Sequence, residues 1–487
     1  MVSFSIRNFG PIADAEIELK PLTVFVGPNN AGKSYLALAV YAFSRALTGT
    51  SAYGVPRRLG LRRRIPDFRL RRGRMDQKAR RNVRNVLKEH ARDLEQLAAN
   101  EKTLLEIPTT LRNLIESELT NIAKSFDSIV GSELQRCYGT DIANLSRRGK
   151  ELAGNEIEIG IEDHDSGLIW KMQSSQGSLI TTKWEAGGGS ASGRPAGREH
   201  DTLYGFPAHF LADPDYFYDI VPMAMFDRML AGIAPASHYL PASRTGILQG
   251  HRTLASLIVG RSSLAWIEPM EIPRLPGVVT DLIQALLLLG RPHKQTSRLT
   301  KVVEYLESNV IKGKLHVDVN RDEYPEIYYE NEAGQFQLHQ VSSMVSEIAP
   351  MILFLKDLIQ PGDLFIIEEP ESHIDASSQR NLARAIAMMV NAGVRVLITT
   401  HSDFFLNQIN NSMLVAQVNR NKRWRMGYKA AEVLDADMVS AYLFRPDLGG
   451  TQVDRLEISR DYGIPTESFD LVHRELFDEA TKLEHSI

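Results

Sequence analysis

The chain has 487 residues, enough for two to four domains or for one domain carrying large insertions. A content of 43% hydrophobic and 24% charged residues is that of a globular protein, and a formal net charge of -4 excludes a global polyanion-binding surface, so any nucleic-acid contact has to be a local patch. A single cysteine, Cys137, excludes an internal disulfide. No apolar run reaches the eighteen or so residues that span a bilayer, and MVSFSIRNFGPI lacks the layout of a signal peptide, so the expectation is a cytoplasmic protein without a membrane partner.

In chain order, residues 2–26 read as strands: Val2 to Ile6 and Ala15 to Leu19 alternate, and Leu22 to Val26 is a short apolar run ending at glycine. A helix over about Ser34 to Leu47 follows. Residues 51–74 are basic, and residues 75–150 read as a helical arm with Pro108 at its turn. Residues 151–200 read as a β-rich insertion with a Gly/Ser-rich loop, and 201–309 as a mostly helical insertion. Strands return from 314, followed by a helix Ser343–Leu358, a buried strand Asp363–Glu368, a helix Asp375–Asn391 and a strand Val394–Thr399. A helix Asp403–Asn410, a strand Ser412–Val418 and a helical C-terminal region, 431–487, complete the reading. Residues 1–50 and 310–430 thus form one α/β core with a parallel or mixed sheet, built from the two ends of the chain.

Gly27-Pro28-Asn29-Asn30-Ala31-Gly32-Lys33-Ser34 matches the G-x-x-x-x-G-K-[ST] phosphate loop, and it follows a buried strand and opens a helix, the context that gives the match its value. Glycines let backbone N–H groups turn around phosphates, and the helix N-terminus adds favourable charge for an anion. Lys33 is then the point charge for the β- and γ-phosphates of ATP, and Ser34 the hydroxyl ligand of Mg2+. Asp363-Leu-Phe-Ile-Ile-Glu368-Glu369 is an apolar strand ending in carboxylates, at the edge where open α/β sheets bind ligands. Glu368 is expected on the Mg2+ side and Glu369 as the general base toward the attacking water. A second buried strand ends in His401, placed to hydrogen-bond a γ-phosphate oxygen.

The order GPNNAGKS, SSMVSE, LFIIEEPESHID, LITTHS, with the opening IRNFGPI, resembles the ABC-type ATPases of the RecF, Rad50, SMC and OLD group. The resemblance covers about residues 1–48 and 310–420 and implies a P-loop NTPase head of ABC type. It also implies a head-to-head dimer with ATP at the interface. Val341–Glu347 then looks like the signature motif, with Ser342 and Ser343 reaching the γ-phosphate held by the other copy. Asp375 matches the aspartate of the D-loop and His401 the switch histidine. Met344 stands where the signature usually carries glycine, and Glu368 where aspartate is commoner. Gln249 is a candidate Q-loop residue, and YLPASR (Tyr239–Arg244) resembles a phrase of this subgroup without a firm role for Arg244. Asp435 and Asp437 mimic a nuclease D-x-D but read better as helix-capping aspartates.

No effector motif accompanies the ATPase pattern. The resemblance to stand-alone ATPases of two-gene phage-defence systems, of PARIS and Septu type, implies a separate nuclease or toxin partner. Two other readings stand beside it, a RecF-like DNA-maintenance ATPase and an ATP-held scaffold with little turnover. Arg57, Arg58, Arg62, Arg63, Arg64, Arg69, Arg71, Arg72 and Arg74 form a stretch suited either to DNA phosphates or to an acidic partner.

Overall fold

The computed structural model describes residues 2–48, 77–98, 106–146, 156–164, 167–186, 236–250, 275–290, 297–319, 325–466 and 478–483. The basic segment 51–74 and most of the Gly/Ser-rich loop lie outside the described residues. The chain forms two compact units, Met1–Leu19 with Ala42–Ala236, and Lys20–Tyr41 with Ser237–Ile487.

In the first unit the strands are β1 (Val2–Phe9) and β2 (Ile12–Leu19); β3 (Leu22–Val26) belongs to the second unit; then β4 (Glu158–Asp163), β5 (Leu168–Ser175) and β6 (Ser178–Ala186) complete the first. They pair antiparallel in the order β6-β5-β4-β1-β2. Val2, Phe4 and Ile6 of β1 are buried while Ser3, Ser5 and Arg7 between them are less so, the period-two pattern of a strand with one face inward. The helix Thr109–Tyr138 starts directly after Pro108 and ends at Gly139, whose φ of +66° closes it. It buries Leu111, Ile115, Leu119, Phe126, Val130 and Leu134, with Phe126 edge-on to Trp170 of β5 at 6.2 Å. Glu133 on the same helix pairs with Arg45 at 2.8 Å.

In the second unit β7 (Ser237–Leu240), β11 (Leu364–Glu368), β12 (Arg395–Thr400) and β13 (Val439–Arg445) join β3 in a sheet of order β14-β13-β3-β12-β11-β7. All neighbours are parallel except β14 (Thr451–Leu456), which runs antiparallel to β13. β3 and β11 are buried at every residue, as strands covered on both faces must be. β8 (Lys314–Asp318), β9 (Glu326–Asn331) and β10 (Gly334–Gln337) make a separate antiparallel sheet. The helix Ser343–Asp357 is buried from Val345 to Leu355, and its Phe354 stacks on Phe365 of β11.

Two expectations are corrected. The strand expected at 412–418 is the end of the helix Asp403–Leu414 and a 3-10 turn Val415–Gln417, because Phe405, Ile409 and Met413 continue the buried helical stripe. The C-terminal region expected to be helical contains β13 and β14 instead. β13 lies beside β3 in the sheet, so its apolar run Val439–Phe444 is a core strand. Asp435 does cap a short turn, accepting from the Asp437 amide at 3.1 Å.

Candidate functional site

Parallel pairing aligns the chemistry. Val26 of β3 sits opposite Thr400 of β12, and Thr399 of β12 opposite Glu368 of β11, so the phosphate loop, His401 and the acidic pair all leave the sheet at one edge. Gly27, Asn30 and Gly32 have φ of +151°, +63° and +88°. A loop with such alternation offers backbone N–H groups to an anion. A Cβ at Gly27 would lie 2.7 Å from the Phe444 carbonyl oxygen, so only glycine fits there. Lys33 opens the following helix, and its ammonium donates to the carbonyls of Gly27 and Pro28, each at 2.7 Å. Burial lowers the Lys33 pKa, and the charges of Glu369 and Glu371 oppose that shift, which puts the ammonium and these carboxylates in one neighbourhood. Asn29, Asn30 and Ser34 are exposed and Ala31 is buried.

Glu368, the last residue of β11, is buried. Its carboxylate accepts from the Tyr239 hydroxyl and from the Ala242 amide, the latter at 2.9 Å. Glu369 takes a φ of +40°, a conformation that costs an ordinary side chain roughly 1 kcal/mol or more. It is held there by its own amide, which donates to the Thr399 carbonyl at 3.0 Å, and its carboxylate accepts from the Ser372 hydroxyl at 3.0 Å. Glu371, one of the carboxylates after the strand but given no role from the sequence, is buried and accepts from the Thr400 hydroxyl at 2.6 Å and the His401 amide at 3.0 Å; burial raises its pKa. His401 Nδ1 stands 3.8 Å from Glu369 and 3.7 Å from Glu371, with its side chain partly exposed.

Arg244 is fully buried and joins three segments. Its guanidinium donates to the carbonyls of Glu368 at 2.8 Å, Glu369 at 3.2 Å and Glu347 at 3.0 Å, and pairs with the Glu347 carboxylate at 2.9 Å. Glu347, itself buried, also accepts from the Thr245 hydroxyl. Burial lowers the Arg244 pKa, and Glu347, Glu371, Glu368 and Glu369 counter it. β7 explains the encounter: it runs parallel to β11, with Leu240 opposite Ile367, and the chain after it turns into the acidic end of that strand. The signal for Arg244 was the YLPASR phrase, but its role follows only from this pairing.

The remaining expected residues are at helix starts. Asp375 caps the helix Ala376–Asn391, accepting from the Ser377 and Ser378 amides at 2.9 and 3.1 Å, bonds that lower its pKa. Ser342 caps the helix Ser343–Asp357, accepting from Val345 at 3.5 Å; Ser342 and Ser343 are both exposed, and Met344 is half-buried. Gln249 is exposed in the segment after Arg244, and among the described residues no hydrogen bond joins it to the residues above.

The residues present fit a magnesium-bound triphosphate. Mg2+ takes one or two protein oxygens and fills its other positions with phosphate and water. The Ser34 hydroxyl and the Glu368 carboxylate are hard oxygen donors of that kind, and the positive φ values of Gly27, Asn30 and Gly32 make a loop of the kind that offers backbone N–H groups to phosphate.

A phosphate loop on a parallel sheet, with an acidic strand end and a histidine strand end beside it, defines a P-loop ATPase head of the ABC type. Two family models match: one described as "AAA ATPase domain" over residues 1–163, the other as "AAA domain, putative AbiEii toxin, Type IV TA system" over residues 285–407. Each model covers less than half of the chain, and both are described as AAA domains. Among solved structures it is similar to an SMC head bound to the C-winged helix domain of ScpA, at 12% identity and a TM-score of 0.41 over 93% of this chain and 97% of that one. It is similar to the SMC head domain from Thermotoga maritima at 8% identity and 0.36, over 94% and 98%. A third is an Smc head domain with an extended coiled coil bound to the C-terminal domain of ScpA from Pyrococcus furiosus, at 11% and 0.39, over 98% and 100%. No curated protein matches the chain. Among the described residues, no helix is long and apolar enough to cross a membrane.

Proposed function

We propose that this protein binds and hydrolyses Mg-ATP, pairs head to head with a second copy through the nucleotide, and controls a separate nuclease or toxin in defence against phage. The carrying observation is the meeting of Lys33, Glu368, Glu369 and His401 at one edge of the parallel sheet, from segments more than three hundred residues apart. In this reading the N–H groups of the phosphate loop and the Lys33 ammonium hold the β- and γ-phosphates. Bound Mg2+, held by Ser34 and Glu368, would neutralise phosphate charge. Glu369 accepts a proton from water as its oxygen bonds to the γ-phosphorus, and the bond from that phosphorus to the bridging oxygen breaks to leave ADP and phosphate. The strained φ of Glu369 supports a role in chemistry, since such backbone cost persists where function needs the geometry. In this reading His401, within 4 Å of Glu369 and of Glu371, reports the γ-phosphate to both. The description of the family matched at residues 285–407 names a toxin of a toxin–antitoxin system, which supports a toxin in the setting of this ATPase.

Purified variants test the chemistry. Lys33→Ala loses ATP binding by calorimetry, whereas Glu369→Gln binds ATP normally and turns over at least about a hundredfold slower. Equal phosphate release by wild type and Glu369→Gln would remove Glu369 from the mechanism.

A further inference from the structure

The short helix Arg420–Arg425 has a composition that core packing does not explain. None of its residues is buried, yet it carries a tryptophan. Trp424 is 78% exposed and Met426, one residue beyond the helix, 60% exposed. Around them Arg420, Lys422, Arg425 and Lys429 are exposed, and the stretch from Ala416 to Ala430 contains no carboxylate. Among the described residues no ion pair engages these four cations. The nearest acidic groups along the chain are Glu432, buried with Arg384, Asp435, which accepts from the Asp437 amide, and Asp437, which pairs with Arg460.

The platform is rigidly attached. Asn419 caps the helix through the Lys422 amide at 3.0 Å. Arg423 turns inward and donates to the carbonyls of Ala416 and Val418 at 3.0 and 2.9 Å, so it serves as the bolt while the other cations face water. The chain then bends at Gly427, φ +78°, and buries Tyr428, which lies under the Arg384 guanidinium at 4.1 Å and accepts from Gln408 at 3.0 Å. Gln408 in turn accepts from Arg380 at 3.1 Å. Arg380 and Gln408 lie on the helices that begin at Asp375 and Ser402, beside the nucleotide site.

We propose that Trp424, with Arg420, Lys422, Arg425 and Lys429, is a binding platform for single-stranded nucleic acid. An exposed indole on a fixed helix offers a face on which an unpaired base stacks, and cations on either side follow the phosphates. In a duplex the bases are already stacked, so the indole has nothing to receive there. An acidic protein would use the cations and leave the tryptophan idle. This site uses none of the arginines of the basic stretch and does not depend on ATP turnover.

The test uses the full chain and a fluorescently labelled twenty-residue oligothymidylate, followed by anisotropy and by quenching of intrinsic tryptophan emission. To keep the other basic stretch from masking the result, Arg57–Arg74 are neutralised to glutamine in every arm. The expected result is quenched emission on binding, loss of that quench in Trp424→Phe with affinity largely retained, and about tenfold weaker binding in Trp424→Ala, the effect of one lost stacked base. Affinity should also fall steeply with salt. Unchanged affinity in Trp424→Ala overturns the proposal. So does binding without quenching, and so does displacement of the oligonucleotide by polyglutamate at equal charge concentration, which would make the patch a seat for an acidic protein. ATP binding measured on the same variants confirms that each is folded.

Discussion

At the scale of single residues, the site depends on a buried cation that does no chemistry. Arg244 reaches carbonyls on both acidic residues and the carboxylate of Glu347, so one guanidinium sets the strand end against the helix Ser343–Asp357. Lysine cannot replace it, because a single ammonium lacks the planar fork that spans these acceptors. Removing the guanidinium leaves Glu347 buried and without its ionic partner. Arg244→Met is expected to destabilise the protein by about 3 to 5 kcal/mol, the usual cost of breaking a buried pair on one side. Arg244→Met with Glu347→Met should recover much of that loss, since neither buried charge remains. Urea unfolding of the two single variants and the double variant measures the coupling. Additive losses would mean that the pair does not interact energetically, and Arg244 would then be a packing residue only. Turnover should stay low in the recovered double variant, because the carbonyls of Glu368 and Glu369 have still lost their donor.

At the scale of elements, the turn from β3 into its helix is fixed by one absent side chain. Gly27→Ala would press a Cβ against the Phe444 carbonyl, which belongs to β13 and cannot step aside without moving a central strand. The expected outcome is a loss of about 1 to 3 kcal/mol and at least tenfold weaker ATP binding by calorimetry. Gly177→Ala is the control: its φ is +78° with nothing within 4 Å of an added Cβ, so it carries backbone strain without a close contact. If both variants bound ATP like the wild type, the close approach at Gly27 would not shape the loop. This element was legible in the sequence because local rules specify it, an apolar strand, a glycine loop and a lysine opening a helix. β11 and β12 were legible for the same reason, each apolar throughout with its polar chemistry at one end. β13 was not. Its run VSAYLFR is short, and nothing local says that it lies next to β3, more than four hundred residues away in sequence. Arg244 and Glu371 escaped for a related reason. Arg244 acts through the pairing of β7 with β11, and Glu371 through the Thr400 hydroxyl and the His401 amide beyond β12. The Trp424 patch was hidden because its charge is modest as a run and becomes conspicuous only when the whole helix is seen to be exposed.

At the scale of the whole molecule, the proposed pairing rests on the first turn of the helix Ser343–Asp357. That helix is buried from Val345 to Leu355, whereas Ser342 and Ser343 at its start are exposed. A helix N-terminus held open to solvent, with hydroxyls on its cap and first residue, suits a phosphate approaching from outside, and a second copy of this chain carrying ATP would bring one. The dimer should therefore require both an intact nucleotide and an unblocked serine turn. Glu369→Gln, which keeps its ATP, is expected to double in mass by light scattering when Mg-ATP is added at millimolar concentration. Adding Ser343→Arg to that variant should return it to the mass seen without nucleotide. Arginine at this exposed position has room in the monomer, so folding should change by no more than about 0.5 kcal/mol. Calorimetry should still find ATP in the variant's own phosphate loop, at an affinity close to that of the unpaired parent. If the Ser343→Arg variant still doubled in mass with ATP, the two copies would be meeting through some other surface, and the serine turn would have no part in joining them.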